Sequence, residues 1–457
     1  MERPQILQLL HDQRTYFASG VTKDLSFRRQ QLGVLKRALQ TSEHLLLHAL
    51  KEDLGKPAFE AYGGETAIVI SEIDHALKHL RCWAKPKRVR TPLSHFPATC
   101  TIHPEPFGVA LIIGPWNFPV QLMLTPLVGA LAAGNCAVLK PSISTPRTTH
   151  LIAKLVRENF DPAYVSIVEG GAETAQALLA ERFDHIFFTG GVAIGRVVMA
   201  AAAKHLTPVT LELGGKNPCI VDADTDLDIT SRRIVWGKCF NAGQSCVAVD
   251  YLLVDRRIKQ ELLSRIIACI EEFYGEDPSR SPDLARIVSE PHFDRLLALL
   301  GRGEVLIGGR SDRASRYIAP TVIDGITGDE PIMEDEIFGP LLPVLAYDDL
   351  SEAIDFVNAR PKPLALYFFS RDKARQEKVL RETSWGGGCI NDTVIHQTVI
   401  RLPFGGVGDS GMGKYHGKAS FDTFSHDRSI VRNNFLTDIF LRYPPYRDHL
   451  KWLKRLF

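Results

Sequence analysis

Through residues 5–85 apolar side chains recur at three- and four-residue spacing with charges opposite, as in "DLSFRRQQLGVLKRALQTSEHLLLHALKEDL". That period predicts amphipathic helices. The texture changes at "KPKRVRTPLSHFPATCTIHPEPFG", which is rich in Pro, Thr and Arg and has no helical period, so it reads as extended chain. From Val109 short unbroken apolar runs, "VALIIG", "CAVLKP", "VSIVEGG", "HIFFTGG" and "VTLELGG", alternate with helical stretches such as "MLTPLVGALAAG" and "GRVVMAAAAKH". Strands apolar on both faces, set between helices, predict an α/β fold with a doubly wound parallel sheet covered on both sides. Ligands of such sheets sit beyond the carboxyl ends of the strands. A second αβ series runs from about Leu227 to Asn391, with strands near "YLLVD", "LPVLAYD" and "LALYFFS". After Arg401 the glycine-rich "RLPFGGVGDSGMGKYHG" reads as a loop, and "DRSIVRNNF" resumes extended structure.

At 457 residues the chain exceeds one ordinary core, so two or three packed units are expected. A content of 45% hydrophobic and 23% charged residues is that of a soluble globular protein, and a net charge of +1 provides no field that would draw the chain to nucleic acid. Residues 106–139 carry no charge at all, which raises the question of a membrane span. Pro115, Pro119, Pro126 and Gly134 cut that stretch into pieces too short to cross a bilayer, so it reads as a buried βαβ segment. The first residues lack the basic start and apolar run of a signal peptide. The eight cysteines are mostly isolated among apolar neighbours and form no CxxC, so a reducing cytoplasm with no disulfide framework and no metal site is expected.

Two thiols stand seven residues apart in "KCFNAGQSCVAV". Cys239 shares a helical face with Val235 and reads as core. Cys246 follows the turn "NAGQS" and precedes "VAVDYLLVD", a junction from which a side chain can face a cleft. A lone cysteine is ordinarily a small buried hydrophobe, so other residues must decide. "IIGPWNFP" ends one strand with Asn117, "LELGGKNP" ends another with Glu212, and "EDEIFGP" sets Glu336 and Phe338 beside a Gly-Pro turn. Singly, a strand-end Asn caps a turn and a strand-end Glu is solvated. In "FFTGGVAIG" a strand ends at Phe188, and Gly190 and Gly195 flank the next helix start, where free N–H groups can receive a phosphate; a plain helix-start turn is the other reading.

Taken together, "LELGGKNP", "FNAGQSCVA" and the ending "PFGGVGDSGMGKYHGKASFDTFSH" resemble the aldehyde dehydrogenase superfamily over nearly the whole chain, closest to its class 3, fatty-aldehyde-dehydrogenase-like branch. The resemblance implies NAD(P)-dependent oxidation of aldehydes to carboxylic acids through a cysteine thiohemiacetal and thioester. It assigns the nucleophile to Cys246, the general base to Glu212 and the oxyanion-stabilising amide to Asn117, and leaves Cys239 without a role. It places the cofactor's pyrophosphate at Gly190, Gly191, Val192 and Gly195, with Trp116 and Leu213 nearby. Lys140 matches the lysine that bonds the adenosine ribose, Glu336 the carboxylate that holds the nicotinamide ribose, and Phe338 packs by the ring.

One departure concerns the cofactor. NAD-preferring members commonly carry a glutamate three residues after that lysine, and this chain has Ile143. Isoleucine neither bonds a ribose 2′-hydroxyl nor repels a 2′-phosphate, so both NAD and NADP are expected. The implied fold is a Rossmann-type cofactor domain (1–86 and 105–212), an α/β catalytic domain (213–400) and a β oligomerisation segment (87–104 and 418–435) in a homodimer. Medium- and long-chain, aromatic or polyene aldehydes would all suit an apolar funnel. A CoA-acylating enzyme is a competing reading, which Glu212 opposes because such members generally lack that base. A non-catalytic binding protein on the same fold is the third, although it would have no need of Cys246, Glu212, Asn117, Lys140 and Glu336 together. His416, in the closing loop, reads as structural.

The tail, residues 436–457, is amphipathic: Tyr446, Leu450, Leu453 and Phe457 fall on one helical face, and from Val431 onward six basic residues outnumber two acidic ones. It reads either as a helix docked on the body or a partner, or as a lid over the substrate funnel that touches an anionic membrane.

Overall fold

The protein is described from a computed structural model that covers residues 2–301, 303–436, 438 and 442–456. The amino-terminal pattern forms the helices Arg3–Ala18, Leu25–Leu54 and Ala67–Trp83. Asp24 caps the long one by accepting the N–H of Phe27, a contact worth about 1 kcal/mol, and Gly55 ends it in the left-handed region at φ 64°. Leu32, Leu35, Leu39, Leu46 and Leu50 bury its apolar stripe. Between it and Ala67–Trp83 lies an interruption that periodicity does not predict, the short helix Ala58–Ala61 followed by a π-helical turn at Tyr62–Thr66.

The charge-free stretch is a buried βαβ unit, as expected: strand Val109–Ile113, helix Gln121–Ala133 and strand Cys136–Lys140 are buried at every residue. The two strands pair in parallel, with Ile113 opposite Lys140. Burial on both faces explains the missing charges, since each buried Leu or Ile contributes about 1.5–3 kcal/mol while an unpaired ion would cost far more.

The first sheet has the order Gly411–Met412, Val209–Glu212, His185–Thr189, Val109–Ile113, Cys136–Lys140, Val165–Ile167. From Val109–Ile113 the chain steps outward to Val165–Ile167 and then crosses back to His185–Thr189. The order therefore reverses between Val109–Ile113 and His185–Thr189, and the crevice at that switch point opens beyond their carboxyl ends. The second sheet, of seven strands, includes Leu341–Tyr347, Tyr251–Asp255, Pro218–Val221 and Ala365–Phe369 as parallel neighbours at its centre. A third sheet joins Lys87–Val89, Thr99–Pro106 and Ser425–Arg432, all antiparallel.

Two details differ from the sequence-based expectation, and a third bears on one of the readings left open for the tail. Both large sheets carry an antiparallel edge: Gly411–Met412 returns beside Val209–Glu212 out of a glycine-rich loop, and Glu304–Ile307 pairs with Thr321–Asp324 through a link that contains no helix, so neither pair has the helical crossover that parallel pairing needs. The strand expected right after Cys246 starts only at Tyr251, since the Asn217 side chain donates to the carbonyls of Cys246 and Ala248, at 2.7 and 3.1 Å, and holds the link out of the ladder. In the tail, helix His449–Leu456 leaves Tyr446, Leu450 and Leu453 about half exposed or more rather than docked on its own body, and Phe457 lies outside the described residues. Among the described residues no helix is long and apolar enough to cross a membrane, and no cluster of three metal-ligating side chains occurs.

Candidate active site

The switch-point crevice holds a cavity of about 240 Å³. From the end of Val109–Ile113 come Trp116 and Asn117; from the end of His185–Thr189, Gly190 and Gly191; from the end of Val209–Glu212, Glu212 itself and Leu213. The second α/β unit supplies Cys246, Glu336 and Phe338. Nine of the residues singled out from sequence therefore meet around one space, though they are spread from position 116 to 338.

Cys246 reaches the cavity half-buried. Cys239 is 2% exposed at the end of helix Leu227–Cys239, a core position as expected, and burial pushes its thiol up to about 12. The loop between them, Phe240–Gly243, places both Asn241 and Ala242 at φ 53°, a left-handed conformation that side-chain-bearing residues rarely adopt. Gln244 pins this loop by donating to the carbonyls of Asn241 and Arg286 and accepting the N–H of Val288. Burial raises the Cys246 thiol well above its usual range; the negative charges of Glu336 and Glu212 add to this, while the N–H groups of Cys246 and Val247 oppose it.

Glu212 is 3% exposed, and neither of its carboxylate oxygens has a hydrogen-bond partner. Burial raises its pKa well above the usual carboxylate range. An orphaned buried carboxyl facing a cavity is costly for stability, and such costs concentrate at functional sites. Asn117 lies with its backbone carbonyl accepting from Asn241 Nδ2 at 3.0 Å and its own Nδ2 donating to the Gln244 carbonyl at 3.1 Å. An amide nitrogen has two hydrogens, so one remains for a ligand.

The adjoining groove, about 500 Å³, runs past Gly191 and Val192 at the start of helix Val192–Ala203 to Lys216, Glu336 and Arg360. Its residues suit a dinucleotide. A Cβ at Gly191 would meet nothing within 4 Å, leaving the backbone open to a phosphate, whereas a Cβ at Gly195 would strike Leu213 at 2.6 Å. Glu336 closes over Gly214 and keeps one buried carboxylate oxygen unpaired, in place to accept from a ribose hydroxyl. Phe338 sits at φ 53° with its ring edge-on to Trp116 at 5.3 Å. Gly195 packs behind the groove. Lys140 and Ile143 line neither space; they sit where the neighbouring strand ends, the Lys140 carbonyl accepting from Gly114 just before Pro115 and Trp116, with Ile143 59% exposed.

Several contributors gave no sequence signal. His292 and Arg295 reach the cavity from the helix Glu290–Ala298, whose pattern is that of any surface helix. Asp250 accepts the Ile337 N–H and pairs with Lys216 at 2.7 Å, which anchors the segment bearing Glu336; a charge next to a strand looks like a solvated end until its burial is seen. Lys56 and Glu65 lie in the helical interruption noted above. His416 is 2% exposed and bonds Glu72 at 2.5 Å, tying the closing loop to helix Ala67–Trp83, which fits the structural reading.

A doubly wound sheet thus gathers a cysteine, a buried carboxyl and an amide at its switch point, next to a groove with room for a dinucleotide, an arrangement suited to an oxidoreductase. The pattern of the Aldehyde dehydrogenase family matches residues 14–430, and the chain belongs to that family. It is 46% identical to 4,4′-diaponeurosporen-aldehyde dehydrogenase of Staphylococcus aureus over 99% of both chains, and 50% identical to human aldehyde dehydrogenase family 3 member B1 over 94% of this chain and 93% of that one. A solved structure of the substrate-bound state of Staphylococcus aureus AldH superposes with a TM-score of 0.97 at 46% identity, covering 99% of each chain. The protein is thus an oxidoreductase that uses NAD(P) to convert aldehydes to carboxylic acids.

Proposed function

We propose that Cys246 carries the substrate covalently, with Asn117 and Glu212 serving its two half-reactions. The observation that carries this reading is the convergence of the three on one cavity, with the Glu212 carboxyl buried and unpartnered. The Cys246 sulfur, as thiolate, bonds the aldehyde carbon, and the carbonyl oxygen takes the negative charge. The second Asn117 Nδ2 hydrogen and the Cys246 N–H hold that oxyanion; one such donor is typically worth about 2.7–4 kcal/mol of barrier. Glu336 and the Gly190–Val192 turn would hold NAD(P), which when bound would supply a hydride acceptor beside Cys246. Glu212 then takes a proton from water, whose oxygen bonds the thioester carbon; the C–S bond breaks, and acid and thiolate separate. Rapid-mixing kinetics with mass spectrometry test the scheme: a thioester adduct must form on the peptide containing Cys246.

The cavity wall is apolar where Trp116, Leu122 and Phe338 meet, and it continues into a cluster in which Phe118 and Phe240 stack at 5.8 Å beside Trp236. This supports long apolar, aromatic or polyene aldehydes as substrates, and the Staphylococcus relative is named for a polyene aldehyde. The loop that follows the buried strand Cys136–Lys140 exposes Ile143 and carries no carboxylate through Thr145. NADP is therefore expected to turn over alongside NAD, measured as kcat/KM for each; a thousandfold preference for NAD would contradict it.

The three sheets support the division into a cofactor unit (1–86, 105–212), a catalytic unit (213–400) and an oligomerisation segment (87–104, 418–435). Strand Ser425–Arg432 is a long, mostly exposed edge, which favours pairing with a second copy in a cytoplasmic homodimer. The tail exposes Tyr446, Leu450, Trp452 and Leu453 next to Arg447, Lys451, Lys454 and Arg455, an arrangement suited to an anionic membrane surface from which a hydrophobic aldehyde is delivered. Removal of 446–457 is expected to lower kcat/KM for long-chain aldehydes presented in anionic vesicles severalfold more than for short soluble ones. Equal losses would refute it.

A further inference from the structure

Asn117 can stabilise an oxyanion only if its backbone is held still, and the strand that bears it ends four residues earlier, at Ile113. What fixes the intervening loop is a charge pair from an unexpected place. Lys56, in the link after the long helix, and Glu65, in the π-helical turn, meet with Nζ 2.6 Å from Oε1, and both side chains are fully buried. Lys56 also donates to the Asn117 carbonyl at 3.0 Å, and its ammonium lies 4.2 Å from the centre of the Phe118 ring. The other Glu65 oxygen accepts the N–H of Val120 at 2.8 Å and of Gln121 at 3.2 Å, at the start of helix Gln121–Ala133. Together they grip residues 117, 118, 120 and 121.

We infer that Lys56 and Glu65 are positioning residues for the oxyanion amide, acting through the backbone of Asn117 without touching substrate. Three features favour this over packing alone. A fully buried ion pair is weak evidence for stability, because desolvation of both ions consumes most of their attraction. The hydrogen bonds that satisfy the pair go to the Asn117 loop rather than back into its own helices. Glu65 is presented from a π-helical turn, an irregularity found frequently at functional sites and absent from the otherwise regular α-helix that follows. The carboxylate also sits where a helix start favours negative charge, so the loop and the helix behind it share one anchor.

The inference rests on Asn117 being the oxyanion donor, and a double-mutant cycle separates the two claims. The Lys56→Met/Glu65→Gln enzyme removes both charges at once and leaves no unpaired ion behind. It is expected to keep KM for aldehyde and cofactor within about threefold, to lose on the order of 10- to 100-fold in kcat, and to raise the deuterium isotope effect on kcat with 1-deuterated aldehyde, because carbon–hydrogen cleavage becomes slower. In the Asn117→Ala background the same replacement is expected to cost less than about threefold, since the amide it positions is gone. Equal losses in both backgrounds, or a change in thermal stability with kcat untouched, would overturn the positioning role. So would failure of the charge-free enzyme to fold, because the pair would then be structural. If Asn117→Ala by itself leaves kcat intact, the oxyanion assignment fails first, and the inference with it.

Discussion

Replacement of Cys246 by serine is expected to lower aldehyde oxidation by more than about a thousandfold, while Cys239→Ser retains most of it. Serine preserves the size of the side chain, so the comparison isolates chemistry from packing. A hydroxyl is a far weaker acid than a thiol and stays protonated where even the thiol is already raised by burial and by Glu336 and Glu212. It therefore provides no nucleophile and cannot form the thioester. Cys239 stands at the opposite end of a left-handed loop, enclosed by core, with its thiol pushed up to about 12. Its replacement exchanges the thiol for a hydroxyl beside the side chain of Tyr274, at a cost of about 1 kcal/mol. The check is steady-state kinetics beside thermal unfolding: Cys246→Ser should unfold like the native enzyme and yet be inactive. A folded Cys239→Ser enzyme as inactive as Cys246→Ser would reverse the assignment.

The extent to which all this was legible follows from the range over which each signal acts. Strand and helix types came from local patterning: "VALIIG" and "CAVLKP" became the buried parallel pair Val109–Ile113 and Cys136–Lys140, and the charge-free stretch between them became a buried helix. The edge strand Gly411–Met412 was invisible, because two residues of a glycine-rich loop have no period and become a strand only when the chain returns beside Val209–Glu212. Among site residues the legible ones sit at strand ends flanked by glycines, as Glu212 does before Gly214, where motif spacing is tight. Lys56, Glu65, Asp250 and Arg295 were not legible. A charged residue in a helical or strand-end pattern reads as solvated, and only the tertiary structure reveals that Lys56 and Glu65 are fully buried against the Asn117 loop.

Glu212→Gln is expected to convert a multiple-turnover enzyme into one that stalls after its first hydride transfer, with steady-state kcat lower by about 10²–10⁴-fold. Glutamine fills the same volume and removes the charge that the buried site holds at a cost, so the fold should be unharmed or slightly stabilised. The amide cannot accept a proton from water, and hydrolysis of the Cys246 thioester is the step that needs one. A rapid burst of NAD(P)H of one equivalent per site, followed by near silence, is the expected trace, with the acyl group recoverable on Cys246. The pH dependence has a definite sign. Burial raises the Glu212 pKa, so the protonated, inactive form persists above the usual carboxylate range, and kcat should climb as pH rises through that elevated value. In Glu212→Gln that limb should vanish from the residual rate, while any limb from Cys246 remains in the burst. If instead the burst itself disappeared in folded Glu212→Gln enzyme, Glu212 would be needed to deprotonate the thiol. The two half-reactions would then share one base.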